Sequence, residues 1–142
     1  MYIEINDTTT FREIEEVFAA YYPWLRLAFY RTEHQPFEAS PEQEALSPGL
    51  RVGDFRKTHV TCLLYINPLE QVQQLEKELQ QLFSLPAQVL YKEKNAWVQS
   101  TGMDTFTLKE LNELSRNASD DELVRDYEEG FEASDIKPTA LL

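Results

Sequence analysis

Arg31, Arg56, Lys57 and His59 bracket one long polar segment of a chain that is otherwise strongly acidic. A guanidinium presents paired N–H donors in a planar fork, and beside an ammonium it suits a carboxylate or phosphate. These four side chains are the candidate binding residues for a small anionic metabolite. Tyr91 and Trp97 stand on either side of a charged turn, "KEKN". On an open sheet face they would offer an aromatic pair to a ligand or a protein. His34 and His59 flank the same polar segment, with Glu33 beside the first. Antiparallel strands would bring the two rings together, but a metal centre takes three or four convergent ligands, so no metal is assigned.

Glu15 and Glu16, and Glu76 and Glu78, fall on the outer faces of the helices predicted below and are read as solubilising charge. The chain has no glycine-rich phosphate loop, no H-E-x-x-H and no G-x-S-x-G elbow. No catalytic residue and no cofactor is assigned. The lone Cys62 permits no internal disulfide and lies in an apolar run, where a free thiol packs as a small hydrophobe.

The elements that must position these groups are legible from periodicity. "MYIEIN" alternates and predicts a half-buried strand. Thr10 and Glu13 have capping-box spacing, and Phe11, Ile14, Val17, Phe18 and Tyr21 then recur at helical spacing up to Pro23. "LRLAFYR" reads as a second strand. From Thr32 to Lys57 the chain is polar and proline-rich, with one helical turn expected in "SPEQEAL". "THVTCLLYIN" is apolar on both faces, which places it centrally in a sheet. A second helix buries Leu69, Val72, Leu75, Leu79, Leu82 and Phe83. "AQVLYKE" and "AWVQS" form a hairpin turned at Lys92 to Asn95. Thr107 and Glu110 start a last helix that buries Leu108, Leu111 and Leu114.

The order predicts an α+β two-layer sandwich. Its expected core is a ferredoxin-like β-α-β-β-α-β unit with an extra edge strand at Ala96 to Ser100 and C-terminal helices, and a β-grasp arrangement is the alternative. The two strand-helix-strand units echo each other only loosely, short of a sequence repeat. Residues 1–117 make the expected domain. Residues 118–142, with eight acids against two bases, make an acidic tail, a short helix or partly disordered.

The net charge of −12 and pI near 4.5 disfavour phosphate backbones and anionic lipid, so nucleic acid and membrane are excluded as expected partners. The "MYIEINDTTT" start lacks a basic region and an apolar signal core, and the expected location is cytoplasmic.

The stretches "IEINDTTTFREIEEVFAAYYPWLRLAFYR", "VGDFRKTH" and "VLYKEKNAWVQSTGMDTFTLKELN" resemble a family of small uncharacterised proteins from bacteria of the Bacteroidetes group. The resemblance covers roughly residues 1–112 and implies a soluble cytosolic protein. It implies no activity, cofactor or catalytic residue. Members commonly stop near the last matching stretch, so the acidic tail is a departure. The functional expectation is a non-enzymatic module that binds a protein or a ligand, with self-association as a homodimer through an open sheet face or an edge strand. The alternative is a binder or enzyme of a small anionic metabolite at the basic cluster.

Overall fold

A computed structural model describes residues 1–35, 37–56 and 61–118. The elements run β1 (Tyr2–Ile5), α1 (Phe11–Tyr21), β2 (Leu25–Phe29), a 3-10 turn (Glu42–Glu44), α2 (Val52–Phe55), β3 (Cys62–Tyr65), α3 (Val72–Leu82), β4 (Ala87–Glu93) and β5 (Ala96–Gln99). A last helix, α4, occupies residues 108–118. The acidic tail beyond Ala118 lies outside the described residues.

The strands form two antiparallel sheets, β1–β3 and β2–β4–β5. The mixed α+β class stands, and the arrangement is compatible with two layers. The pairing departs from one continuous ferredoxin-like sheet, because β2 lies beside β4 and, among the described residues, β1 and β3 pair only with each other. The central place expected for the third strand is therefore overturned. Leu64 points into the core, while Leu63 and Tyr65 point outward. Apolar residues on both faces here mark an exposed apolar surface rather than double burial.

Local chemistry explains the helix starts. Thr10 accepts the Glu13 N–H at 3.2 Å. Thr107 and Glu110 exchange both capping-box bonds at 3.1 Å. Before α3, Asn67 accepts the Leu69 N–H in a turn, and Gln71 with Gln74 forms the capping box. The β4–β5 turn is tighter than expected, with Lys94 and Asn95 both left-handed (φ 49° and 62°), as a two-residue hairpin turn requires.

The two halves of the chain repeat one plan. Helices α1 and α3 each span 11 residues. Aligning Phe11 with Val72 also aligns Ile3 with Leu64, Ile5 with Ile66, Asn6 with Asn67, Ile14 with Leu75, Glu15 with Glu76 and Phe18 with Leu79. Every apolar residue in that series is buried, in both halves. Equivalent residues also face each other: Ile3 pairs with Leu64 in the first sheet. With one residue inserted beyond α3, Leu27 pairs with its own equivalent, Val89, in the second. Both sheets thus straddle a pseudo-two-fold axis.

The helix starts obey the same symmetry. The first N–H groups of a helix lack partners within it. Phe11 and Arg12 donate to Leu50 O and Pro48 O, while Val52 and Gly53 donate to Thr9 O and Asp7 O. In the second half Val72 and Gln73 donate to Phe106 O and Asp104 O, while Leu108 and Lys109 donate to Glu70 O and Pro68 O. Each pair of helices is clasped start to start. Gly53 permits the first clasp, since a Cβ there would sit 2.8 Å from Asp7 O.

One apolar core joins the halves, from Ile3 and Ile5 through Phe11, Phe18, Leu27, Leu64, Leu75, Leu79 and Val89 to Leu108 and Leu111. Burying each such side chain contributes roughly 1.5–3 kcal/mol. Leu69, Leu82, Val17, Tyr21 and Leu114, expected on the inner stripes, are exposed. Ser115 takes the inward place on α4 and accepts the Lys92 N–H at 2.8 Å.

Candidate ligand-binding site

The inner stripe of α3 carries one acid among its apolar residues. Glu76 lies between Leu75 and Leu79 and is 3% exposed. Its place on the outer face, expected from the sequence, is therefore corrected. The Val89 N–H donates to Glu76 Oε2 at 2.8 Å. That bond takes the amide at the middle of β4 and fixes the carboxyl above the strand.

Asp104, also buried, stands near it. Its backbone carbonyl receives the Gln73 N–H, and its Oδ2 accepts the Phe37 N–H at 2.6 Å. Phe37 adopts a left-handed conformation (φ 63°), where a non-glycine residue is uncommon, and this bond helps hold it there. His34, in the segment that crosses from the first half, closes the third side. Its Nε2 lies 2.8 Å from Ala87 O and its Nδ1 3.0 Å from Gln35 O. Gln80 of α3 anchors that segment by bonding both the N–H and the carbonyl of His34.

These groups line a cavity of about 310 Å³, with Glu33, Gln35, Gln73, Lys77 and Gln81 completing it. Its volume suits a small ligand. Burial pushes the Glu76 carboxyl up to about 8; the Val89 amide bond opposes the rise, and the negative charge of Asp104 adds to it. Three carboxyl groups face one lysine, so the cavity is acidic.

Of the residues expected to bind an anion, the two described ones, Arg31 and Arg56, do not line this cavity. Arg56 is buried behind α2, where its Nη1 donates to Phe83 O at 3.3 Å and its Nη2 lies 4.0 Å from Asp7 Oδ1. A cation at the C-terminal end of α3 is favourably placed against the helix dipole, and it ties α3 to the first half. Arg31 is exposed, and Lys57 and His59 lie outside the described residues. Tyr91 pairs with Val98 and Trp97 with Lys92. Successive residues of a strand point to opposite faces, so Tyr91 and Trp97 do not form an aromatic pair. The Tyr91 hydroxyl donates to Glu93 at 2.8 Å. Among the described residues no group of three or more His, Cys, Asp or Glu side chains is placed to hold a metal. No helix among them is long and apolar enough to cross a membrane.

A second surface differs in kind. The outer face of β1–β3 presents Tyr2, Leu63 and Tyr65, which are 67%, 66% and 48% exposed, around Glu4. The rings of Tyr2 and Tyr65 lie 4.9 Å apart, while half-buried Cys62 packs against the core.

No protein family, curated protein or solved structure matches the chain.

Proposed function

We propose that the protein is a non-enzymatic binding module whose ligand enters the cavity between α3 and the 33–37 segment. The observation that carries this reading is a cavity of about 310 Å³ whose walls include three buried polar side chains, Glu76, Asp104 and His34. Backbone hydrogen bonds hold the three in place around one space, so a small ligand entering it would meet a few convergent polar groups in fixed positions, as binding pockets present them. Binding is favoured over catalysis because each group already serves the backbone: Glu76 bonds an amide, Asp104 bonds an amide, and both His34 ring nitrogens face carbonyls. A general base must instead reach the proton it abstracts. The test is a ¹H–¹⁵N screen of small compounds of either charge. Binding should shift the amides of His34, Gln73, Gln80, Val89 and Asp104. Shifts confined to other surfaces, or none, would overturn the assignment.

The outer face of β1–β3 favours self-association as a second reading. Three large apolar side chains on one sheet face, with no described element over them, form the kind of patch that marks an interface. Sedimentation velocity should show a dimer that Leu63→Glu converts to a monomer. A wild-type chain that stays monomeric at about 100 μM excludes a dimer of even modest affinity.

A further inference from the structure

The pseudo-symmetry supplies an internal comparison for the cavity. Its α3 residues Gln73, Glu76, Lys77 and Gln80 correspond to Arg12, Glu15, Glu16 and Ala19 of α1. These four line a second, more open groove of about 500 Å³, together with Pro48, Arg26 and Trp97. Pro48 corresponds to Asp104, since each carbonyl accepts from the second residue of its helix. Each groove is built from the helix of one half and a segment of the other, Glu33 to Gln35 in one case and Trp97 in the other.

The chain therefore carries the same glutamate at the same place twice, in two electrostatic settings. Glu15 has guanidinium groups beside it. Burial raises its carboxyl, and the positive charges of Arg26 and Arg12 pull it back. At Glu76 both cations are missing. Arg12 is replaced by Gln73, and Arg26, one position before Leu27, by Gln88, one position before Val89. Gln88 turns its amide to Glu38 O and Ser40 Oγ at 3.0 Å. Where the first half has Pro48, the second adds the carboxylate of Asp104. Burial raises the Glu76 carboxyl, the Val89 amide opposes the rise, and the negative charge of Asp104 adds to it. Lys77 is the lysine in the lining, where the twin groove has Glu16, and His34 directs both ring nitrogens at main-chain carbonyls.

We propose that the cavity beside Glu76 binds a guanidinium group, the group that Arg12 and Arg26 supply to Glu15 in the twin groove. This rests on the reading of the cavity as the ligand site. A planar guanidinium carries five donors and can bond Glu76 and Asp104 together. The lining suits it further, since Gln73 and Gln81 offer amide oxygens and Glu33 a further carboxylate. Binding also restores the charged form of Glu76, so it releases a proton at neutral pH. Glu33, His34, Lys77 and Asp104 are the other ionisable groups facing the cavity.

The test is calorimetric titration with n-butylguanidine, with a capped pentapeptide holding one arginine, and with the uncharged n-butylurea. Both guanidinium compounds should bind and n-butylurea should not. The tighter of the two tells a free ligand from an arginine side chain. Glu76→Gln should weaken binding by about tenfold or more, the scale of losing a charge-assisted bond, while Glu15→Gln leaves it unchanged. Repeating the titration in buffers of different ionisation enthalpy should show net proton release in the wild type and none in Glu76→Gln. Equal binding of n-butylurea, or binding unaffected by Glu76→Gln, overturns the guanidinium assignment but leaves the cavity as the site. If compounds of every charge leave the cavity amides unmoved, both are overturned.

Discussion

Glu76→Gln should raise the melting temperature at pH 8.5 and leave it nearly unchanged at pH 4.5. A carboxyl whose folded value stands near 8, against an ordinary 4.5, binds its proton more tightly in the folded chain than in the unfolded one. Stability then falls as pH rises between those two values, because folding must take up a proton that is increasingly scarce. The contribution is fully present below about 4.5 and fully lost above about 8. Glutamine has no such proton to hold. Its carbonyl can accept the Val89 N–H that Glu76 accepts, and its amide can donate toward Asp104. The gain at pH 8.5 should be on the order of 1–3 kcal/mol, or roughly 4–10 °C for a domain of this size. Glu70, pushed up to about 7 by burial, bends the stability curve of both proteins in the same sense, so the difference between them at each pH is the quantity to measure. A difference that stays flat from pH 4.5 to 8.5 would show that Glu76 keeps its ordinary carboxyl value in the folded chain. The variant that should lose the ligand is thus the variant that should gain stability, and misfolding cannot produce that pair of results.

What could be read from the residues, and what could not, follows from the range over which each signal acts. Helix starts are local: Thr10 with Glu13 and Thr107 with Glu110 cap as their spacing implies. So is the hairpin, where Lys94 and Asn95 supply both left-handed turn residues. Strand pairing is not local. Alternation in "MYIEIN" says which residues face inward, but not that the neighbour is β3, and β2 finds β4 far along the chain, past α2, β3 and α3. Apolar residues on both faces of β3 looked like double burial because periodicity does not separate a covered face from an exposed apolar one. Glu76 was legible in principle: it occupies an inward position between Leu75 and Leu79, and an acid there is a conflict worth explaining. Asp104 gave no such signal, because a loop carries no period. The repeat was hidden because Ile5 and Ile66, Asn6 and Asn67, and Glu15 and Glu76 are the identical pairs over the two strand-helix units. What persists between the halves is the inward apolar class and the backbone bonding of the helix starts.

The repeat also predicts how the chain unfolds. Phe18→Ala and Leu79→Ala truncate equivalent, fully buried positions in the two halves. The first should cost about 3–5 kcal/mol and the second about 2–5, since each leaves a void in a packed interior. Against a typical total of about 5–15 kcal/mol, either loss is large. The two halves could in principle melt separately, but four features argue against it. Each sheet takes strands from both halves, one apolar cluster spans them, Arg56 of the first half bonds the end of α3, and Gln80 of the second holds His34 of the first. Removing Phe18 should therefore destabilise residues around Leu79 as much as those around Phe18. Urea unfolding of Phe18→Ala, followed through amide signals of both halves, should give coincident midpoints and an unchanged slope. If signals from β3 and α3 persist after those of β1 and α1 are lost, the halves fold independently, and the two-fold plan is a matter of geometry alone.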